Sequence, residues 1–305
     1  MNSKMKHLSL FKYALFLITV TQTCLLPTAW CMTRGQPLHE PHLTFDGPTG
    51  TLTVSSSELL KRSDLEKITL DDSPTYLGRK VTLLAIPAFH LFAELLKNQS
   101  IDPDATIEFE CLDGFAGPIS PQRLLVHRAD SSVAYLAFET PDQPWPALNT
   151  SQGPATAGPF ALIWKNPEAS QITIEEWPFQ LTGFHIKGSL KTLFPKIFPP
   201  HSPPESSTVM KGFRVFQRSC FTCHKINQQG LSDFGPDLNF PQNPTQYFTE
   251  TALRSLIRNP QDLRKWKNDK MKGFATKDLS DAELSDLLAY LKAMAQPHSQ
   301  PAPER

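Results

Sequence analysis

The C-terminal part of the chain shows the clearest helical periodicity. Its last apolar stripe recurs at positions i, i+3, i+4 and i+7, in Leu284, Leu287, Leu288 and Leu291. Ser280 and Glu283 precede this stripe at the spacing of a capping box, which marks the start of a helix. Residues 210–219 also have a helical pattern. We therefore expect residues 207–295 to form an all-α domain.

Residues 51–193 show a different pattern, in which short apolar runs and two-residue alternation dominate. Alternation places successive side chains on opposite faces, as in a half-buried strand. The predicted strands cover residues 107–111, 132–138, 160–164 and 172–176. Residues 87–97 are the exception, because Phe89, Phe92 and Leu95 share one helical face. The predicted fold class is therefore multidomain, with a β-rich α+β domain before the all-α domain.

Proline marks the boundaries between these parts, and the chain contains 28 prolines. Residues 194–206 are rich in proline, which removes a hydrogen-bond donor and favours extended backbone, so we expect a semi-stiff linker there. Residues 296–305 are proline-rich and polar, which is typical of a disordered tail. Residues 32–50 have few periodic features and are expected to form a loose arm.

Residues 1–31 have the proportions of an export signal. Three lysines lie within the first 12 residues, and the apolar run 13–20 that follows is too short to span a bilayer. With cleavage expected within residues 29–32, the mature protein is predicted to be periplasmic. The alternative is membrane association through an uncleaved or lipidated N-terminus. Cys31 could carry a lipid, although Trp30 is a poor fit where a small residue is expected.

Charge and cysteine usage narrow the functional classes. Lys plus Arg number 30 and Asp plus Glu number 30, so a net charge of zero gives no bulk attraction for nucleic acid. Of the five cysteines, Cys24 and Cys31 lie in the predicted signal. If Cys220 and Cys223 are used together, Cys111 is left over and no structural disulfide is expected in the mature chain.

Cys220-Phe221-Thr222-Cys223-His224 has the spacing C-x-x-C-H, which is typical of a c-type haem attachment site. Two thiols at this spacing can form thioethers with the two vinyl groups on one edge of a porphyrin. The histidine that follows is then held beneath the iron, where its imidazole can ligate. We therefore expect one haem c, anchored by Cys220 and Cys223 with His224 as an axial ligand.

Zinc sites and thiol–disulfide redox sites also use C-x-x-C. A zinc site needs about four ligands, and no second Cys/His pair follows this one. A thiol–disulfide redox motif is expected at the start of a helix after a strand, whereas residues 210–219 before the pair look helical. Covalent haem attachment takes place outside the cytoplasm, in agreement with the predicted export.

Residues 207–295 resemble a class I cytochrome c over the whole segment. Besides C-x-x-C-H, the resemblance rests on Gly212 and Phe216, on Gly235-Pro236-Asp237-Leu238 and on Ile257-Arg258-Asn259-Pro260. It implies that the glycine of the first helix lets the first and last helices cross closely. It also implies that the Gly-Pro loop binds the cofactor by packing near the ligating histidine, and that the Arg-Asn-Pro stretch ends a middle helix.

The sixth iron ligand that this resemblance implies is a methionine. Met271 lies in an irregular stretch just before the last helix, where the ligand methionine of the family sits. Met210 is too close to the haem motif, and Met294 is expected at a frayed helix end. Ligation by His224 and Met271 would raise the reduction potential. An open sixth site would instead indicate a haem sensor or ligand-binding protein.

The stretch around Met271 is basic. Its charged residues are Arg264, Lys265, Lys267, Lys270 and Lys272 against Asp262 and Asp269. Such a run is either a solvated face or a docking rim around an exposed haem edge, which would steer an acidic redox partner. The predicted function is one-electron transfer by an electron carrier, with an N-terminal domain that docks a redox partner.

Residues 109–177 resemble part of the sulfite oxidase (molybdopterin oxidoreductase) fold, through Asp113-Gly114-Phe115, Gly158-Pro159-Phe160 and Trp177. This resemblance implies a second hypothesis, a haem-containing dehydrogenase whose N-terminal domain holds a molybdenum–pterin or other redox centre. The chain departs from the family, because residues 68–84 contain no cysteine to ligate molybdenum. Cys111 alternates with its apolar neighbours instead, which predicts a buried side chain.

Overall fold

A computed structural model of the protein describes most of the chain from residue 40 onward. The described residues are 40–48, 50–96, 101, 102, 104–125, 127, 128, 130–150, 153–265 and 271–295. The predicted signal at residues 1–31 and the predicted tail at residues 296–305 lie outside them. Within these described ranges, no helix combines the length and the apolar character that crossing a membrane requires.

Residues 42–189 contain all the strands of the described chain, and we call this part the β-rich domain. The strands are β1 His42–Gly47, β2 Gly50–Ser55, β3 Glu66–Ser73, β4 Arg79–Pro87, β5 Ala105–Cys111, β6 Ala116–Ile119, β7 Val133–Phe138, β8 Leu148–Thr150, β9 Gly153–Ala155, β10 Phe160–Lys165 and β11 Leu181–Ser189. The expected loose arm at residues 32–50 is wrong for β1, which precedes the predicted domain start at residue 51. Its Leu43 and Phe45 alternate inward and are buried in the core of the domain.

The helices of the described chain are concentrated after residue 207. They are α1 Ser56–Leu59, α2 Ala88–Leu95, α3 Pro121–Leu125, α4 Leu190–Leu193, α5 Thr208–Ser219, α6 Pro244–Tyr247, α7 Glu250–Arg258, α8 Pro260–Leu263 and α9 Asp281–Met294. Short 3-10 helices cover Pro167–Ser170, Ile174–Glu176 and Pro195–Ile197. A β-rich region is thus followed by a helical one, as the sequence pattern predicts.

Two sheets share one hydrophobic core in the β-rich domain. The first sheet has the strand order β2-β1-β11-β5-β6 and the second has the order β10-β7-β4-β3, while β8 pairs with β9. β1 and β11 run parallel, whereas the strands on either side of them pair in antiparallel fashion. In the core, Phe45 stacks on Phe184 with ring centroids 5.6 Å apart, and Phe92 of α2 meets both rings edge-on.

The predicted strand at residues 172–176 is wrong, because Ile174–Glu176 forms a 3-10 helix. Thr173 and Glu176 make a capping box, in which the backbone N–H of Thr173 donates to the Glu176 carboxylate at 2.9 Å. The Thr-x-x-Glu spacing therefore outweighs the apolar alternation at this position.

Helices α5 and α9 cross at Gly212, as the resemblance implies. A Cβ atom at this position would collide with the backbone carbonyl of Asp286, so glycine alone permits the approach. Beside the crossing, Phe216 packs on Tyr290 with ring centroids 5.2 Å apart. The predicted capping box begins α9, and the predicted leucine stripe is buried. The sequence pattern of the last helix is thereby confirmed.

The predicted linker at residues 194–206 is partly incorporated into the C-terminal core. Ile197 is fully buried, and its carbonyl oxygen accepts a 2.7 Å hydrogen bond from the hydroxyl of Tyr290. Phe198 packs on Phe213 with ring centroids 4.6 Å apart. The apolar residues placed between the prolines thus attach the first part of this stretch to the helical region.

Candidate haem site

The haem motif forms a turn at the end of α5. The backbone N–H of Cys220 still donates to Phe216 in the last helical turn, at 2.9 Å. The N–H groups of Cys223 and His224 then both donate to the carbonyl oxygen of Cys220, at 3.1 and 2.8 Å. Neither cysteine forms a disulfide. This turn brings two free thiols and one imidazole close together, as C-x-x-C-H requires.

His224 is oriented by its Nδ1 atom, which lies 2.8 Å from the carbonyl oxygen of Pro236. Because a carbonyl oxygen only accepts hydrogen bonds, Nδ1 carries the proton. The lone pair of Nε2 is then free to ligate a metal, and metal-binding histidines are usually oriented in this way. Burial lowers the pKa of His224, which favours the neutral form that can ligate.

Gly235 and Pro236 both lie against the His224 ring. A Cβ atom at Gly235 would collide with the imidazole carbon between the two nitrogens, so a side chain here would displace the ring. The N–H of Gly235 donates to the carbonyl oxygen of Cys223 at 2.8 Å. The loop therefore fixes both the position and the tautomer of the histidine.

Cys220 and Cys223 lie in surroundings that favour uncharged sulfur. Burial raises the pKa of the Cys220 thiol, and the charge of Glu175 raises it further. Burial also raises the pKa of Cys223. A thioether has no proton to lose, so covalent attachment suits this environment, whereas the thiolates of a zinc site would be destabilised. In the part of the chain that the structure describes, no cluster of three or more His, Cys, Asp or Glu is placed to hold a bare metal ion.

Met271 is partly buried against the C-terminal core, together with Phe274. The backbone N–H of Phe274 donates to the carbonyl oxygen of Ile257 at the end of α7, at 3.0 Å. Met294 was expected at a frayed helix end, but it is fully buried. Residues 266–270 lie outside the described residues, and the ligand role of Met271 stays a prediction.

Arg258 supports the segment that follows Met271, a role that the sequence pattern does not reveal. Its guanidinium donates to the carbonyl oxygens of Phe274 and Leu279 and, at 2.7 Å, to the carboxylate of Asp281. It thereby ties this segment to α7 and α9. A basic residue near the end of a helix is common because of the helix dipole, so its presence alone does not predict a second role.

Residues 209–295 match the family model of cytochrome c. This segment is a cytochrome c domain. It supports a haem-based electron-transfer role and implies a covalently bound haem c. The residues fit that group, because one turn carries two free thiols and an oriented imidazole, and Gly235 of the adjacent loop leaves room for the imidazole ring. No curated protein matches the chain. The resemblance of residues 109–177 to sulfite oxidase lies outside the matched segment and stays a prediction.

The β-rich domain packs directly on the haem motif of the cytochrome c domain. Thr222, between the two cysteines, is only 4% exposed. It lies against β6, where a Cβ atom at Gly117 would stand 2.5 Å from its methyl carbon. Phe115 meets Phe234 edge-on with ring centroids 5.9 Å apart, and the hydroxyl of Thr173 donates to a carbonyl in the last turn of α5 at 3.3 Å. No local sequence pattern predicts these contacts.

Cys111 is buried in β5, as its alternation predicts. Burial and the neighbouring charge of Asp113 raise the pKa of its thiol well above the usual range. Such a cysteine stays protonated at neutral pH and is a poor metal ligand. The β-rich domain therefore offers no ready thiolate for molybdenum at this position.

Proposed function

We propose that this chain is an exported, mono-haem c-type cytochrome that transfers single electrons in the periplasm. The observation that carries the proposal is the hydrogen bond from His224 Nδ1 to Pro236, beside two free thiols in one turn. This hydrogen bond leaves Nε2 of His224 available to ligate iron, which supports a haem site rather than a thiol–disulfide redox site. A bound haem c would supply an iron that alternates between the ferric and ferrous states.

The residues of the site have separate roles in this proposal. Cys220 and Cys223 anchor the porphyrin, His224 ligates the iron from one side, and Met271 ligates it from the other. Gly235 and Pro236 orient the histidine. Partial burial favours the uncharged forms of the Cys220 thiol and the His224 imidazole, because it raises the pKa of the first and lowers the pKa of the second.

The N-terminal region contributes export and docking. The basic and apolar pattern of residues 1–31 supports secretion, and C-x-x-C-H needs an oxidising compartment for haem attachment. The β-rich domain covers Thr222 with one face and leaves its remaining surface for a redox partner. Association with a membrane would depend on an uncleaved or lipidated N-terminus. The net charge of zero gives no electrostatic attraction for nucleic acid, so no nucleic-acid partner is proposed.

The basic stretch near Met271 would steer an acidic partner. Arg264, Lys265 and Lys272 are exposed, while Lys267 and Lys270 lie outside the described residues. In the test, the ferrous protein is oxidised at low salt by anionic ferricyanide and by cationic tris(phenanthroline)cobalt(III). Arg264→Glu with Lys265→Glu should slow the first reaction by up to about tenfold and speed the second. Unchanged rates for both reagents would exclude a docking rim here.

The haem itself is tested by producing the full chain together with a c-type maturation system. We expect one haem per chain that resists acid–acetone extraction, recovered in the periplasmic fraction. Met271→Ala should lose the methionine–iron charge-transfer band and bind carbon monoxide in the ferrous state. The control Met210→Ala should keep the band. A colourless product would refute the proposed function, and a band that survives Met271→Ala would refute the assigned ligand.

A further inference from the structure

Glu175 places a carboxyl group of the β-rich domain beside the haem motif. It lies in the 3-10 helix Ile174–Glu176, and its Oε2 atom is shielded from solvent without a hydrogen-bond partner in the described structure. Burial is the main cause of the raised pKa of the Cys220 and Cys223 thiols, and the charge of Glu175 adds to it. A carboxylate in such a place responds strongly to any change in nearby charge.

The groups that face Glu175 come from both domains and leave its charge incompletely compensated. The pKa of Glu175 is raised to about 7, mainly by burial and in smaller part by the charge of the adjacent Glu176. A hydrogen bond from Thr173 and the charge of Lys272 lower it. Once haem is attached, Cys220 and Cys223 are thioethers and no longer titrate. Glu175, whose Oε2 atom is shielded from solvent, then remains a group at this interface that can bind and release a proton near neutral pH.

A cavity of about 580 Å³ lies between the β-rich domain and α5, and Glu175 lines it. Arg123 and Arg218 also line it, but Arg123 pairs with Glu176 at 3.1 Å and Arg218 pairs with Glu283 at 2.8 Å. A water molecule occupies about 30 Å³ in the liquid, so the cavity has room for a water path to the carboxyl group. Protons can therefore reach a group that is otherwise shielded.

We propose that Glu175 is a proton-binding site of the electron-transfer unit and takes up one proton when the haem iron is reduced. The proposal rests on the proposed function, because it requires a haem at Cys220 and Cys223. One electron from the redox partner converts Fe(III) to Fe(II), and one proton from solvent converts the carboxylate to the carboxylic acid. Both leave on reoxidation. The β-rich domain thus takes part in the redox chemistry.

The direction of the coupling between iron reduction and protonation of Glu175 follows from the charge of the iron. Reduction removes one positive charge near Glu175, so the carboxylate is stabilised less and its pKa rises. The reduced protein then binds the proton more tightly, and the reduction potential falls as the pH rises through this range. A tenfold change in proton concentration shifts the potential of a one-electron couple by up to about 59 mV.

The test measures the reduction potential of the haem-loaded full chain from about pH 5 to 9, a range that extends to both sides of the expected titration of Glu175. Wild type and Glu168→Gln, a control at an exposed carboxylate in the preceding 3-10 helix, should show a pH-dependent potential around neutrality. Glu175→Gln should lose this dependence. Equal slopes in all three proteins, or a potential independent of pH in the wild type, would overturn the proposal.

An infrared difference spectrum gives a second measurement that needs no folded variant. Reduction of the wild type near pH 7 should produce a C=O band of a protonated carboxylic acid, and its absence would contradict proton uptake by Glu175. A protein without covalent haem would contradict the proposed function itself. A covalent haem with a potential independent of pH would contradict only the role of Glu175.

Discussion

The residues that contact the haem region from the cytochrome c domain and from the β-rich domain differ in their separation along the sequence. Within the cytochrome c domain, the carbonyl that orients His224 belongs to Pro236, 12 residues away. From the β-rich domain, Thr173 bonds to α5 across 45 residues of sequence. Contacts of the first kind depend on fixed spacing, which remains visible in the sequence. Contacts of the second kind depend on matching shapes, which do not.

The two kinds of contact have different roles: one attaches and ligates the haem, and the other covers the haem motif. Attachment and ligation need fixed residue types at fixed spacing, because thioethers and an iron–imidazole bond have strict geometry. Covering the motif needs only surfaces that fit, such as the glycine backbone of β6 against Thr222. We therefore expect substitutions of the attachment and ligand residues to affect the haem itself, and substitutions of the packing residues at the domain interface to affect mainly stability.

The largest expected effect is the loss of the haem. Cys220→Ala combined with Cys223→Ala should remove all covalent haem, because no thioether can form. Cys111→Ala, the matched change in the β-rich domain, should keep full haem content. Haem staining after denaturing electrophoresis measures both. Covalent haem in the double variant would contradict the attachment site.

The next effect concerns the crossing of α5 and α9. Gly212→Ala should lower the free energy of unfolding by about 1–3 kcal/mol, because the new Cβ atom meets backbone that cannot easily move. Gly188→Ala is the control in β11, where a Cβ atom meets nothing within 4 Å, and it should change stability by less than about 0.5 kcal/mol. Urea unfolding measures both, and equal losses would show that the crossing is not tightly constrained.

A smaller effect is expected at Arg258. Lysine keeps the charge but cannot match the fork of a guanidinium, so Arg258→Lys should cost about 1–2 kcal/mol and loosen the segment after Met271. Arg254→Lys is the control, because Arg254 forms an exposed pair with Glu250. The methionine–iron band should weaken on heating at a lower temperature in Arg258→Lys alone. Identical behaviour of the two variants would contradict a supporting role for Arg258.

The smallest effect is expected at the domain interface. Phe115→Leu removes the edge-on contact with Phe234 and should lower stability by about 0.5–1.5 kcal/mol without changing haem content. Phe89→Leu, which disturbs a stacking contact with His127 inside the β-rich domain, is the control. Limited proteolysis should cleave residues 194–206 faster in Phe115→Leu than in the control. Loss of haem from Phe115→Leu would mean that the β-rich domain helps to assemble the site.

The sequence by itself determined the helical character of residues 207–295 and the haem motif. Both depend on neighbours a few residues apart, so helical period, caps and ligand spacing are enough to predict them. The crossing at Gly212 was implied only by the resemblance to class I cytochrome c, because its contact with Asp286 joins residues far apart along the chain. Alternation also predicted that Cys111 is buried. It failed at residues 172–176, where a capping box acts on the same residues.

Only the tertiary structure decided what covers the haem motif. The burial of Thr222, the support that Arg258 gives to the Met271 segment and the position of Glu175 all join elements distant along the chain. A periodic pattern states which face of an element is apolar, but it does not state which element packs against that face. The physical reason is that such contacts arise when whole layers pack together, and packing depends on the combined shape of both surfaces.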